Sequence, residues 1–279
     1  MRPKCGPKRA KPAQARSEVS RYYLPHRCLN GIRKEPGITR DEREVRFELP
    51  LYTVAEAARI VDVPPSTLAT WAKGYVRRPP DRSEVEGEPV ITYIHPERPG
   101  APVIPFVGLA ESLVLAAIRR SGVPMQRVRP ALEALSEGLG LDHALASKKL
   151  YTDGAELLYD FGEHHRDTID GQVALDLVVV RSGQRVFGTL IEEYLRGIEY
   201  DASDGYARLI HVPAYRKAQV VVDPMRSFGA PIFERGAGRV EDAMQRFWAG
   251  ESLDELADDY GVPPEQLEDV VRVASRRAA

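Results

Sequence analysis

Six residues between Ser66 and Arg78 have the types and spacing needed to hold a polyanion. Ser66, Thr67 and Thr70 fall on the outward side of a helical pattern, where hydroxyls can reach phosphate oxygens or base edges. Lys73, Arg77 and Arg78 follow, with no acid before Asp81. Cations in that position displace condensed counterions from DNA, and that release supplies much of a protein's affinity for the duplex. The rest of the chain offers little catalytic chemistry. It has no Gly-rich phosphate loop, no Gly-x-Ser-x-Gly elbow, no His-Glu-x-x-His and no zinc-spaced Cys pair, so a non-enzyme with no cofactor and no metal is expected. Cys5 and Cys28 have no His or Cys at ligand spacing and are read as reduced thiols. Of the six histidines only His164 and His165 stand among acids, and adjacent side chains leave a regular element in different directions. A solvated loop is the expectation there. The alternative of a different class is a metal nuclease using Glu163, His164, His165 and Asp167.

The elements that must position the six residues are legible from their ends. Thr53-x-x-Glu56 is a capping box opening a short helix, and Pro65 suits the first turn of a second helix reaching Lys73. Asp62 fills the turn between them, where a left-handed residue is needed and Asp is tolerated. Ala57, Val61, Val63, Leu68 and Trp71 then face one small core, with Ala58 where the helices cross. The same spacing returns 199 residues later. Ser252-x-x-Glu255 repeats the box, Leu256, Tyr260, Val262, Leu267 and Val270 repeat the apolar positions, and Gly261 fills the turn. The second copy carries Glu265, Gln266, Glu268 and Asp269 where the first carries hydroxyls. Carboxylates repel DNA, so the first copy is expected to read double-stranded operator DNA and the second to bind protein or to dimerise. Just before the second copy, Val240, Ala243, Met244 and Phe247 recur at helical spacing. Phe247 and Trp248 are the expected partner contacts.

Composition sets the frame around these units. The 279 residues are 43% hydrophobic and 29% charged, ordinary for a globular chain and consistent with about two domains. No run of 18 apolar residues occurs and the first residues are basic and Pro-rich, so neither a membrane span nor a secretory signal is expected, and the location expected is cytoplasmic. Residues 1–46 hold 13 Lys and Arg against 5 Asp and Glu, whereas the remainder hold 26 against 36. The basic segment is read as a tail, inert or tracking DNA, or as the product of a start codon set too far upstream, with folding beginning at Phe47. Residues 47–149 make the DNA-binding unit. Within it, 90–94 and 103–106 are β-type runs placed where a wing would lie, and Pro130 should kink or restart a following helix. Residues 150–223 read as a small β-rich middle domain, with strands at 150–152 and 156–161 around Asp153-Gly154, at 177–180 and 185–187, and at 198–200 and 207–211. Residues 224–279 form a helical end. The fold class expected is α+β.

A resemblance adds to this reading. Residues 51–75, with Tyr52-Thr53-Val54-Ala55-Glu56-Ala57-Ala58 and Ser66-Thr67-Leu68-Ala69-Thr70-Trp71, resemble the N-terminal winged helix-turn-helix of MerR-like regulators. Pro231-Ile232-Phe233, Arg239-Val240-Glu241-Asp242 and Trp248-Ala249-Gly250-Glu251-Ser252-Leu253, running on to Val262, are similar to the small helical domain that ends VapB-type antitoxins. The resemblance implies an antitoxin that neutralises a PIN-like ribonuclease toxin from a neighbouring gene and represses its own operon, with a homo-oligomeric state. A MerR-like regulator that senses a ligand and has no toxin is the alternative.

Overall fold

Arg46, placed by its sequence in a basic tail, is only 3% exposed. The computed structural model describes residues 40–78, 85–122, 125–181, 184–236 and 238–278, and its first element is helix α1 (Arg40–Phe47). The Arg46 guanidinium pairs with Asp204 at 2.6 Å and donates to the Ala207 carbonyl. Folding therefore starts before Phe47, because a partner 158 residues away satisfies a charge that looks solvated in sequence. The reading of residues 1–39 lies outside the described residues.

Strand β1 (Pro50–Tyr52) leads into α2 (Val54–Val61) and α3 (Pro65–Lys73), the expected helix pair. Then come β2 (Tyr75–Arg77) and β3 (Val85–Gly87), an antiparallel hairpin, and β4 (Ile104–Pro105), which pairs with β1. Helix α4 (Phe106–Arg120) is buried on every side from Phe106 to Ile118, apolar there except for Glu111 and Ser112. It packs against α1, α2, the β1–β4 pair and the later helix α8 described below, and so is the axis of the fold. Helix α5 (Met125–Leu139) runs through Pro130 as one element. A single 3-10 turn at Ala144–Ala146 precedes α6 (Lys148–His164) and α7 (Ile169–Asp176).

Here the structure corrects the sequence reading. Residues 150–161 are helical, and Asp153-Gly154 is no turn. Leu150, Gly154, Leu158 and Gly162 recur every fourth residue and are all buried, a helical stripe whose glycines let neighbours approach. A Cβ on Gly154 would press on Phe187, Leu150 and Leu135 at 3.0–3.4 Å. The 3.6-residue period overrides the local turn chemistry.

Strands β5 (Val178–Arg181) and β6 (Gln184–Phe187) form the expected hairpin, and α8 (Thr189–Arg196) follows. Strands β7 (Ile198–Tyr200), β8 (Ala207–His211), β9 (Val220–Val222) and β10 (Ile232–Phe233) make one antiparallel sheet, ordered β10-β9-β8-β7. Helices α9 (Val240–Trp248), α10 (Leu253–Tyr260) and α11 (Pro264–Ala278) complete an α+β fold. A continuous apolar core extends from Tyr52 to Val270.

Candidate nucleic-acid interface

The first helix pair opens on a capping box. Thr53 Oγ1 accepts from the Glu56 amide at 3.2 Å while the Glu56 carboxylate accepts from the Thr53 amide at 2.8 Å. Asp62 ends α2 in the left-handed region at φ 55°, ψ 56°. Its amide donates to the Ala58 and Arg59 carbonyls and the Val63 amide to Ala58, which closes the turn, and Arg120 at the end of α4 braces it from outside, its Nη2 donating to both the Asp62 carbonyl and its carboxylate at 2.6 Å. Ala57, Ala58, Val61, Leu68 and Trp71 are buried as expected, which fixes the opposite face of α3 outward.

On that outward face Ser66 and Lys73 are exposed and Thr67 and Thr70 are half-buried. Thr67 Oγ1 accepts from Arg119 at 3.1 Å, so a cation of α4 already leans over the recognition helix. Thr70 Oγ1 donates back to the Ser66 carbonyl at 2.9 Å. The Lys73 ammonium lies 5.7 Å from the Tyr93 ring centre, which steadies it without neutralising it.

The wing is not where the sequence placed it. Residues 90–94 form no strand, Val103 lies outside any element, 104–105 form β4 and Phe106 opens α4. The hairpin that follows α3 is β2–β3, with Tyr75 opposite Gly87 and Arg77 opposite Val85. Gly74 makes the reversal possible: its φ is +70°, and a Cβ there would collide with the Gly87 carbonyl oxygen. Arg77 and Arg78, expected just beyond the recognition helix, thus belong to the wing. Arg78 is exposed, while the direction of the Arg77 side chain and residues 79–84 lie outside the described residues. Arg129 clamps the wing base, its guanidinium 5.6 Å from the Tyr75 ring and bonded to the Glu88 carbonyl.

On α4 lies a part-buried polar cluster that sequence reasoning does not find. Glu111 of α4, 5% exposed, accepts from the Thr92 amide at 2.5 Å and lies 3.1 Å from His143 Nδ1. Burial works to lower the His143 imidazole, and the hydrogen bond and charge of Glu111 outweigh it, so it titrates above its ordinary range. No local signal marks these residues, since Thr92, Glu111 and His143 meet only through the fold.

The second helix pair repeats the first in detail and differs in use. Ser252 and Glu255 close the box, and Gly261 takes the left-handed turn at φ 62°. Glu265 and Glu268 are exposed, but Asp269, expected among the carboxylates facing outward, is 1% exposed. It accepts from the backbone amides of Arg216, Lys217 and Ala218 at 2.6, 2.8 and 3.2 Å, while Gln266 accepts from Gln219. Burial alone would raise the Asp269 carboxyl; the three amides and Arg272 hold it below the usual carboxylate range. The expected partner pair divides as well: Phe247 packs against the core, and Trp248 is 65% exposed. His164 and His165 end α6 rather than lying in a loop, and each Nδ1 is bonded to a backbone carbonyl one turn earlier.

A capped helix, a tight turn, a second helix opened by Pro65 and a glycine-hinged hairpin define a winged helix-turn-helix protein of the DNA-binding class. A family model described as "Putative DNA-binding HTH domain" matches residues 50–132, from β1 into α5. The chain is 49% identical over 232 residues to "Putative antitoxin VapB45" of Mycobacterium tuberculosis, covering 82% of this chain and 96% of that protein. It belongs to the VapB45 antitoxin family. It is also 27% identical over 230 residues to "Uncharacterized protein Rv2308" of the same organism, covering 79% of this chain and 88% of that one. The crystal structure of Rv2018 from M. tuberculosis superposes with a TM-score of 0.72 at 45% identity, over 81% of this chain and 99% of that chain. Among the described residues no helix is long and apolar enough to cross a membrane.

Proposed function

We propose that this protein is a cytoplasmic, non-enzymatic antitoxin that neutralises a PIN-like ribonuclease toxin encoded beside it and, bound to operator DNA as a homo-oligomer, represses its own operon. The observation that carries the DNA half is the outward face of α3 beside a wing, with Ser66 and Lys73 exposed and no carboxylate on that face. In this reading Ser66, Thr67 and Thr70 enter the major groove and Lys73, Arg77 and Arg78 contact phosphates. The partner half is supported by membership of an antitoxin family and by Trp248 standing free at the end of α9, where an exposed aromatic suits a docking anchor. Residues 47–149 serve DNA binding, 150–223 connect, and 224–279 hold the partner, with Phe247 seating α9 beneath Trp248.

Co-expression with the neighbouring gene tests both halves. The tagged chain should capture that gene's product, and Trp248→Ala should weaken capture without moving the melting temperature. The complex should shift a fragment of its own promoter. A neighbour that is neither captured nor inhibited would remove the antitoxin reading and leave a regulator without a toxin.

A further inference from the structure

A cavity of about 290 Å³ lies between α4, α8 and the turn after β8, at the small end of the range for ligand sites. Leu113 forms its floor, and Glu193, Tyr194, His211 and Tyr215 line its sides. The wall is therefore two phenol rings, an imidazole and a carboxylate. Glu193 is exposed and forms no ion pair among the described residues. A second carboxylate, Glu199, stands 3.3 Å behind His211 but is already paired with Arg208, so Glu193 is the carboxylate left for a ligand. Aromatic faces next to uncompensated carboxylate attract cations and repel anions.

One wall residue also connects to the DNA-reading unit. The Arg120 guanidinium lies over the Tyr194 ring at 5.3 Å from its centre. The same guanidinium holds the Asp62 carbonyl and carboxylate at 2.6 Å and so braces the left-handed turn that backbone bonds to Ala58 and Arg59 close between α2 and α3. Cavity, ring, guanidinium and turn are in direct contact, each with the next.

We propose that this cavity is an effector site for a small organic cation, a guanidinium or alkylammonium compound, whose binding loosens the turn of the helix-turn-helix. The cation sits between the Glu193 carboxylate and the rings of Tyr194 and Tyr215. Once there it repels Arg120, the other cation drawing on Tyr194. Arg120 withdraws from Asp62, and an Asp in the left-handed region without its tether relaxes. The site differs in affinity between tethered and released turns, which is the condition for coupling two sites.

The test uses the full chain with n-butylguanidinium as probe and n-butylurea as its neutral shape match. Calorimetry should give saturable one-site binding of the guanidinium and at least about tenfold weaker binding of the urea, as loss of a charged hydrogen bond requires. Glu193→Gln should weaken the guanidinium about tenfold with its melting temperature unchanged. Hydrogen exchange of peptides spanning 58–68 should speed up several-fold on saturation, and Arg120→Ala should show the faster exchange without ligand. Equal affinity for both probes, or indifference to Glu193→Gln, overturns the site. Saturable binding that leaves 58–68 unchanged overturns the coupling. Neither readout depends on DNA or on a toxin.

Discussion

The two helix-turn-helix units share a capping box, a small residue at the crossing and a left-handed turn residue, yet their equivalent faces have opposite fates. The face of α3 carries hydroxyls and a cation and stays partly open to solvent, with Arg119 bonded to Thr67. The face of α11 is taken up by the chain itself, with Asp269, at the position matching Thr70, gathering three amides of the 216–218 turn. The spacing of apolar residues specifies the pair of helices. What covers the outer face is decided by one side chain, according to whether it can close a bond with another part of the fold.

The comparison can be broken first at these matched positions. Asp269→Ala leaves three amides unpaired, that of Ala218 buried and those of Arg216 and Lys217 partly so, and should cost about 3–5 kcal/mol in chemical denaturation, whereas Thr70→Ala should stay within about 0.5 kcal/mol. Equal effects would mean that the two faces do not differ. The sign with pH follows from the lowered Asp269 carboxyl. Its contribution is present above the unfolded carboxylate pKa and is lost as pH falls through the folded one.

A second, smaller effect concerns DNA. Arg77→Ala and Arg78→Ala should each weaken operator binding several-fold and lower the salt slope by about one per lost phosphate contact. Glu265→Lys with Glu268→Lys should give the α11 face no matching affinity, because the 216–219 turn already occupies it. Anisotropy titrations at several salt concentrations decide both.

The turns differ by about 1 kcal/mol. Gly261→Asp should cost roughly that much, since a side chain at φ 62° has no counterpart of Arg120 to hold it. Asp62→Gly should be nearly neutral, losing the tether and the strain together. Melting curves of the two variants give the contrast directly.

The smallest effect lies at the Glu111–His143 pair. His143 is raised by Glu111, so its contribution is full below the unfolded imidazole pKa and is lost as pH rises through the folded one. Denaturation midpoints should drop slightly between pH 6 and 9 in the native chain and stay flat in Glu111→Gln.

How far the sequence can be read depends on how local each cause is. Both helix pairs are legible because Thr53-Glu56 and Ser252-Glu255 act within one turn, and the 178–187 and 198–211 hairpins because their turns are short. The wing is hard to place since Pro79 and Pro80 obscure the short β-type run Tyr75-Val76 that Gly74 introduces. Helix α6 is hidden by Asp153-Gly154, which mimics a turn while Gly154 serves as a point of close packing. Arg46, Glu111 and Asp269 look solvated because every charge does until its distant partner is known. Arg119 and Arg120 read only as the basic end of a helix, yet they tie α4 to Thr67 and Asp62.

The hydroxyl of buried Tyr52 donates to the Gly229 carbonyl at 3.0 Å across 177 residues of sequence. A Cβ on Gly229 would strike that hydroxyl, so the contact is tight as well as remote. Tyr52 leaves the ribosome with the DNA-reading helices, but its acceptor is made much later. At roughly 5–20 residues per second the gap lasts about 10 to 35 seconds. Through that interval the strand leading into the helix-turn-helix lacks one of its closing bonds. The part of the protein translated early is thus completed late, and a chain cut off during synthesis would carry the recognition helix without the contact that locks the strand before it.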